Sequence, residues 1–210
     1  MADSVRRFLC AAGAALAVSG CASPGPPPYT GPRAGVVVLH AERDDPYGHT
    51  LRFTRTMQEY GLLTDSPEMP WSARRANDKG IEGAMAEIDE AVARLASRGA
   101  KKIFVAGESF GAVAALRYAG RRRLDGLVAL APDPASEAPK VAAAVRRGTP
   151  VLWVVGRGED DELRKAGRIA FDALPKDPPA KFVEVSGGHL DTASEAAAQV
   201  AQWIREVAKR

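Results

Sequence analysis

Two cysteines occur in 210 residues, Cys10 and Cys21, and both lie near the N-terminus. Everything after residue 21 therefore has no disulfide and no cysteine-ligated zinc. The three histidines, His40, His49 and His189, are scattered, and no group of histidines and carboxylates has ligand spacing, so no metal or other cofactor is expected. The acidic stretch "ERDD" (42–45) reads as a solvated loop. The formal charge is only +3, with basic residues spread along the chain, which argues against a nucleic-acid partner. No G-x-G-x-x-G follows the first strand-like run, which argues against a dinucleotide-binding domain.

There is also no apolar run long enough to span a bilayer. The most apolar stretch, "FLCAAGAALAVSG", has 13 residues, against the roughly 20 that a spanning helix needs. Placed behind the basic start "MADSVRR", it reads as a secretory signal over residues 1–20. It ends in "VSGC", which resembles the lipobox of bacterial lipoproteins, in which the cysteine, here Cys21, is lipidated. The following "ASPGPPPYTGPRAG" carries five prolines and reads, over 21–34, as a stiff extended tether. The expectation is a chain held to a membrane through Cys21, in the bacterial cell envelope on the periplasmic side.

From residue 35 the sequence alternates between short β-rich runs and longer helical patterns. Strands are expected at 35–40, 101–107, 125–132, 150–156 and 181–187, with a weaker one at 62–69 that Pro67 and Pro70 confine to an edge. Helices are expected at 49–61, 80–99, 110–120, 136–147, 161–174 and 192–209. Strands apolar on both faces, each followed by a helix, imply an α/β domain over 35–210. It is a doubly wound, mostly parallel six-stranded sheet covered by helices on both faces. Ligands in such sheets bind beyond the carboxyl ends of the strands.

The candidate chemistry lies at those ends. "GESFG" (107–111) fits G-x-S-x-G between a strand and a helix, where Gly107 and Gly111 permit a sharp turn and close helix packing. Ser109 is the candidate nucleophile. A serine hydroxyl needs a base to take its proton, and His189, after the last strand in "VSGGHLD", is in a position to supply one. His49 reads as a surface or capping residue. A carboxylate that orients the histidine should follow a strand between the two. Asp160 is favoured, with Glu159 and Asp133 as alternatives. The oxyanion donors expected are the N–H of Phe110 and that of Glu42 or Ala41, in the loop after the first strand.

In this order, "VVVLHAE", "GESFGA", "VVGRGEDD" and "GGH" resemble the α/β-hydrolase family from about residue 35 onward. The resemblance implies a minimal version of that fold without a cap domain. It also implies that His40 shapes the oxyanion loop rather than serving as base. Two departures stand out: Ala41 replaces the glycine of the family's His-Gly pair, and Glu159 occupies the position three residues after the strand-ending glycine where an aspartate is usual.

The expected activity is a serine hydrolase acting on small carboxylic esters through an acyl-enzyme, with thioesters and amides open to the same machinery. A different reading is an inactive hydrolase-fold lipoprotein that serves as a binding or scaffolding module. The segment 67–78 reads as a surface loop with solvated arginines. Its alternative is a pocket border, with Met69 and Trp71 meeting an acyl group and Arg74 or Arg75 an anion.

Overall fold

A computed structural model describes residues 25–75, 80–133 and 137–210. The expected signal segment and Cys21 lie outside the described residues. Six strands form one sheet: β1 Ala34–Leu39, β2 Leu63–Asp65, β3 Lys102–Glu108, β4 Gly126–Leu130, β5 Val151–Gly156 and β6 Lys181–Val185. The order is β2-β1-β3-β4-β5-β6 and every pairing is parallel. The helices are α1 Thr50–Glu59, α2 Gly80–Ser97, α3 Phe110–Arg121, α4 Ala138–Ala143, α5 Asp161–Asp172 and α6 Thr192–Ala208.

The chain steps one way from β1 to the edge strand β2, then reverses to β3 on the other side of β1. Right-handed crossovers therefore lay α1 on one face and α2 to α5 on the other, and α6 returns to the face of α1. Strand alternation feeds both layers. Val37, Leu39, Val105 and Trp153 pack with α2 to α5. Val36, Val38, Phe104 and Val154 pack under α1 and α6. Each fully buried large side chain contributes about 1.5–3 kcal/mol.

Helix positions follow the apolar stripes. In α2, Ile81, Ala84, Ile88, Ala91 and Leu95 are buried, and Gly99, at φ 90°, ends the run. Helix α3 is buried on nearly all sides, and its alanines let it lie deep in the sheet.

Two elements are cut back most from what the sequence suggests. The second strand keeps only Leu63–Asp65, because Pro67 and Pro70 have no N–H for a ladder. The chain beyond it folds under the loop after β1 instead. Helix α4 spans Ala138–Ala143 rather than 136–147, with Pro139 in its first turn. Before α6, residues His189–Asp191 form a single 3₁₀ turn. Residues 27–33 lie on the domain: Arg205 donates to the Pro27 carbonyl (2.8 Å) and stacks over Tyr29 and Tyr60.

Candidate active site

Ser109 lies between β3 and α3 at φ 53°, ψ −117°, a backbone region that side-chain-bearing residues rarely adopt. Two things hold it there. Its N–H bonds the Leu130 carbonyl at the end of β4 (2.9 Å), and its own carbonyl accepts the N–H of Ala112. The flanking glycines are required by contact. A Cβ on Gly107 would stand 2.2 Å from the Gly111 carbonyl oxygen, and one on Gly111 would stand 2.5 Å from that of Leu39. The turn can exist only while both are bare. Ser109 is thereby held at the N-terminus of α3, where N–H groups lack intrahelical acceptors and the dipole favours negative charge. The Phe110 N–H is the first of these.

The 3₁₀ turn after β6 carries His189 to the serine: Nε2 lies 2.9 Å from Ser109 Oγ, across 80 residues of sequence. The other ring nitrogen, Nδ1, faces Glu159 Oε2 at 3.5 Å. That is an ion-pair distance rather than a full hydrogen bond. Glu159 is buried, and its Oε1 accepts the Gly156 N–H (3.0 Å). The loop that bears it is tied to the histidine's loop by Arg157 N–H to the Val185 carbonyl and Gly158 N–H to the Gly187 carbonyl. Glu159 raises the His189 pKa above its ordinary value against the lowering effect of burial, with further raising from Glu108 and Asp133.

The favoured carboxylate of the sequence reading is not the one at the histidine. Asp160 is exposed, and its Oδ1 accepts the Glu162 N–H (2.8 Å) as the cap of α5. One residue of register decides this: the turn after β5 points 159 inward and leaves 160 to begin the helix. Asp133, after β4, reaches His189 as a weaker charge neighbour.

His40 is fully buried. Its Nδ1 donates to the Ala41 carbonyl (2.8 Å) and its Nε2 accepts the Met69 N–H (3.1 Å), which fixes the tautomer. Trp71 Nε1 donates to the His40 carbonyl (3.0 Å), and its ring packs edge-on against Phe110. Burial lowers the His40 pKa. His40 is thus a neutral pin for the loop carrying Ala41 and Glu42, and its carbonyl lies against α3. Ala41 is buried there and Glu42 exposed.

Met69 and Trp71 are buried core residues under this loop. Arg74 pairs with Asp45 (2.9 Å), and Arg75 pairs with Glu87. His49 is exposed beside Asp44. A concavity of 320 Å³ adjoins the loop, lined by Glu42, Arg43, Trp71, Ser72, Ala73 and Arg75. A larger one of 360 Å³, between α5 and β6, involves neither Ser109 nor His189. Among the described residues no three His, Cys, Asp or Glu side chains gather as metal ligands.

One residue of the site was invisible to motif reasoning. Glu108, the variable position before Ser109, is wholly buried, and neither of its carboxylate oxygens has a hydrogen-bond partner. The signal available in the sequence was a carboxylate ending the otherwise apolar run "KIFVAGE".

No family model and no curated protein matches the sequence. Solved structures do match the fold. A monoacylglycerol lipase from Paleococcus ferrophilus superposes with a TM-score of 0.66 at 18% identity, over 86% of this chain and 96% of its own. Est1E from Butyrivibrio proteoclasticus, with ferulic acid bound, gives 0.64 at 17%, over 83% and 88%. A hyperthermophilic esterase from Pyrobaculum calidifontis gives 0.67 at 16%, over 86% and 79%. The fold is therefore that of the α/β-hydrolases, as in these esterases and lipases.

Proposed function

We propose that this chain is a serine hydrolase that cleaves carboxylic esters through an acyl-enzyme. The observation that carries the reading is the 2.9 Å contact between Ser109 Oγ and His189 Nε2, made at a strained turn that opens a helix. Glu159 is the third member. Ser109 attacks the ester carbonyl while its proton passes to Nε2, and the imidazolium so formed faces the Glu159 carboxylate. The Phe110 N–H and one from the Ala41–Glu42 loop receive the oxyanion. His189 returns the proton to the leaving alcohol, then activates the water that frees the acid.

The structural neighbours are esterases and a lipase, which favours esters over the amides and thioesters that the same machinery also serves. The lipobox-like "VSGC" supports lipidation of Cys21 and a place in the bacterial cell envelope, facing the periplasm.

A fluorophosphonate probe tests the reading. Labelling of the wild type that disappears in Ser109→Ala, together with hydrolysis of short p-nitrophenyl esters, is the expected result. A wild type that neither labels nor hydrolyses would leave the fold as a binding or scaffolding module. Incorporation of labelled palmitate that is lost in Cys21→Ala tests the anchor separately.

A further inference from the structure

Strand β3 ends on Glu108, one residue before Ser109. By alternation its side chain shares a face with Phe104 and Ala106, above the core that α1 and α6 cover. It has no exposed surface, and both carboxylate oxygens lack a partner. The first residue of α1, Thr50, is buried as well, and its hydroxyl is unpartnered too. Unanswered polar atoms in a native interior are uncommon and are generally met by water or retained for function.

Packing does not explain a carboxyl here, because a leucine or glutamine would fill the space without the cost of desolvating an acid. The charged groups that face it come from two loops: Asp44 from the loop after β1, and His189 and Asp191 from the turn before α6. Two of these are acids that oppose its ionisation, and His189 alone favours it. The influence is mutual, since Glu108 in turn favours the protonated form of His189.

We propose that Glu108 is a positioning residue for the hydrolytic pair, a second buried carboxyl besides Glu159 that acts on His189 through its charge. The proposal rests on the ester-hydrolase reading. In the acylation step the Ser109 O–H bond breaks, the proton goes to Nε2, and Oγ bonds the carbonyl carbon. The positive charge then on the imidazole faces Glu159, and Glu108 adds to its stabilisation once Glu108 has lost its own proton. Burial first, then the Asp44 and Asp191 charges, push that proton loss up to about pH 8, with His189 opposing. The rate should therefore rise in two steps with pH. The first frees the base, and the second, near pH 8, ionises Glu108. The two apparent values belong to the coupled pair.

The test compares kcat/KM from pH 6 to 10 for wild type and Glu108→Gln, with the imidazole titration followed by proton NMR. Only three histidines contribute signals. The expected outcome is that Glu108→Gln loses the second step, that its plateau above pH 9 falls about tenfold, and that the His189 signals lose a second inflection near pH 8 that the wild type shows. If Glu108→Gln does not fold, Glu108→Asp, which keeps the charge, should retain the second step. Profiles and a His189 titration unchanged in Glu108→Gln overturn the proposal. Fluorophosphonate labelling of Ser109 separates the two readings. Labelling with an unchanged profile overturns Glu108 alone, and a wild type that never labels overturns both.

Discussion

The two ends of the sheet are built differently. At the amino ends of the strands, the residues held at positive φ are glycines: Gly61 after α1, Gly99 after α2 and Gly148 before β5. Polar groups there are answered: Asp125 accepts the Ile103 N–H and pairs with Lys102, and the Arg33 carbonyl accepts the Lys101 N–H. At the carboxyl ends, three of the described residues with side chains occupy positive φ: Arg43 after β1, Ser109 after β3 and Ala131 after β4. Each such residue costs roughly 1–3 kcal/mol. The unpartnered oxygens of Thr50 and Glu108 lie at that end as well. One end is relaxed, and the other carries strain and unmet polarity. That asymmetry is what a scaffold with a working edge should show.

The sharpest way to break the comparison is at Ser109. Ser109→Ala should lower kcat by about 10⁴–10⁶-fold, the range for a lost serine nucleophile. Ser109→Gly should be as inactive yet more stable, by about 1 kcal/mol in denaturant unfolding, because glycine accepts φ 53° without a Cβ penalty. A glycine variant less stable than wild type would mean that the turn stores no strain.

Next in size is the choice among the carboxylates. Glu159→Gln should lower kcat by roughly 10³–10⁴-fold, as wrong-tautomer substitutions do. It should also move the acid limb of the pH profile downward, because Glu159 is the chief group raising His189. Asp160→Ala should leave kcat intact and cost about 1 kcal/mol of stability, the worth of a helix cap. Asp133→Asn should change the rate by less than Glu159→Gln. Equal losses of rate at 159 and 160 would sink the assignment of the histidine's partner.

That contrast also marks how far the sequence could be read. The doubly wound sheet was legible because β-branched runs such as "GVVVLH" and "PVLWVVG" alternate with helical stripes at a fixed rhythm. The Ser109–His189 pairing was legible from the G-x-S-x-G motif and from topology, since both residues follow strands of one parallel sheet. The carboxylate was not legible. "GEDDE" offers adjacent acids, and which one turns inward depends on hydrogen bonds from Arg157 and Gly158 to the neighbouring loop, contacts between segments about thirty residues apart. The roles of Met69 and Trp71 were hidden for the same reason. They are core residues because His40, about thirty residues upstream, pins them.

Glu108 gives the comparison a thermodynamic form. Its folded pKa of about 8 lies above the ordinary 4.5. The folded state therefore binds its proton more tightly than the unfolded chain. The stability this contributes is fully present below pH 4.5 and is lost as pH rises toward 8. In Glu108→Gln that decline should vanish. The variant should gain on wild type through this window, by roughly 3–5 kcal/mol at about 1.4 kcal/mol per pH unit. Urea midpoints at pH 5 and pH 8 measure it. A gap between wild type and variant that stays constant would show that the buried carboxyl is solvated after all.

The smallest effect is expected at the relaxed end. Arg205 holds residues 27–29 to the domain through the Pro27 carbonyl and the rings of Tyr29 and Tyr60. An exposed cation–π contact is worth about 0.5–1 kcal/mol, so Arg205→Ala should lower stability by about that much. It should leave kcat/KM for a soluble ester unchanged, because no strained or unpartnered group of the upper edge depends on it. A large loss of turnover in this variant would mean that the two ends are mechanically coupled through α6, whose first residue follows the turn bearing His189 and whose last turns bear Arg205.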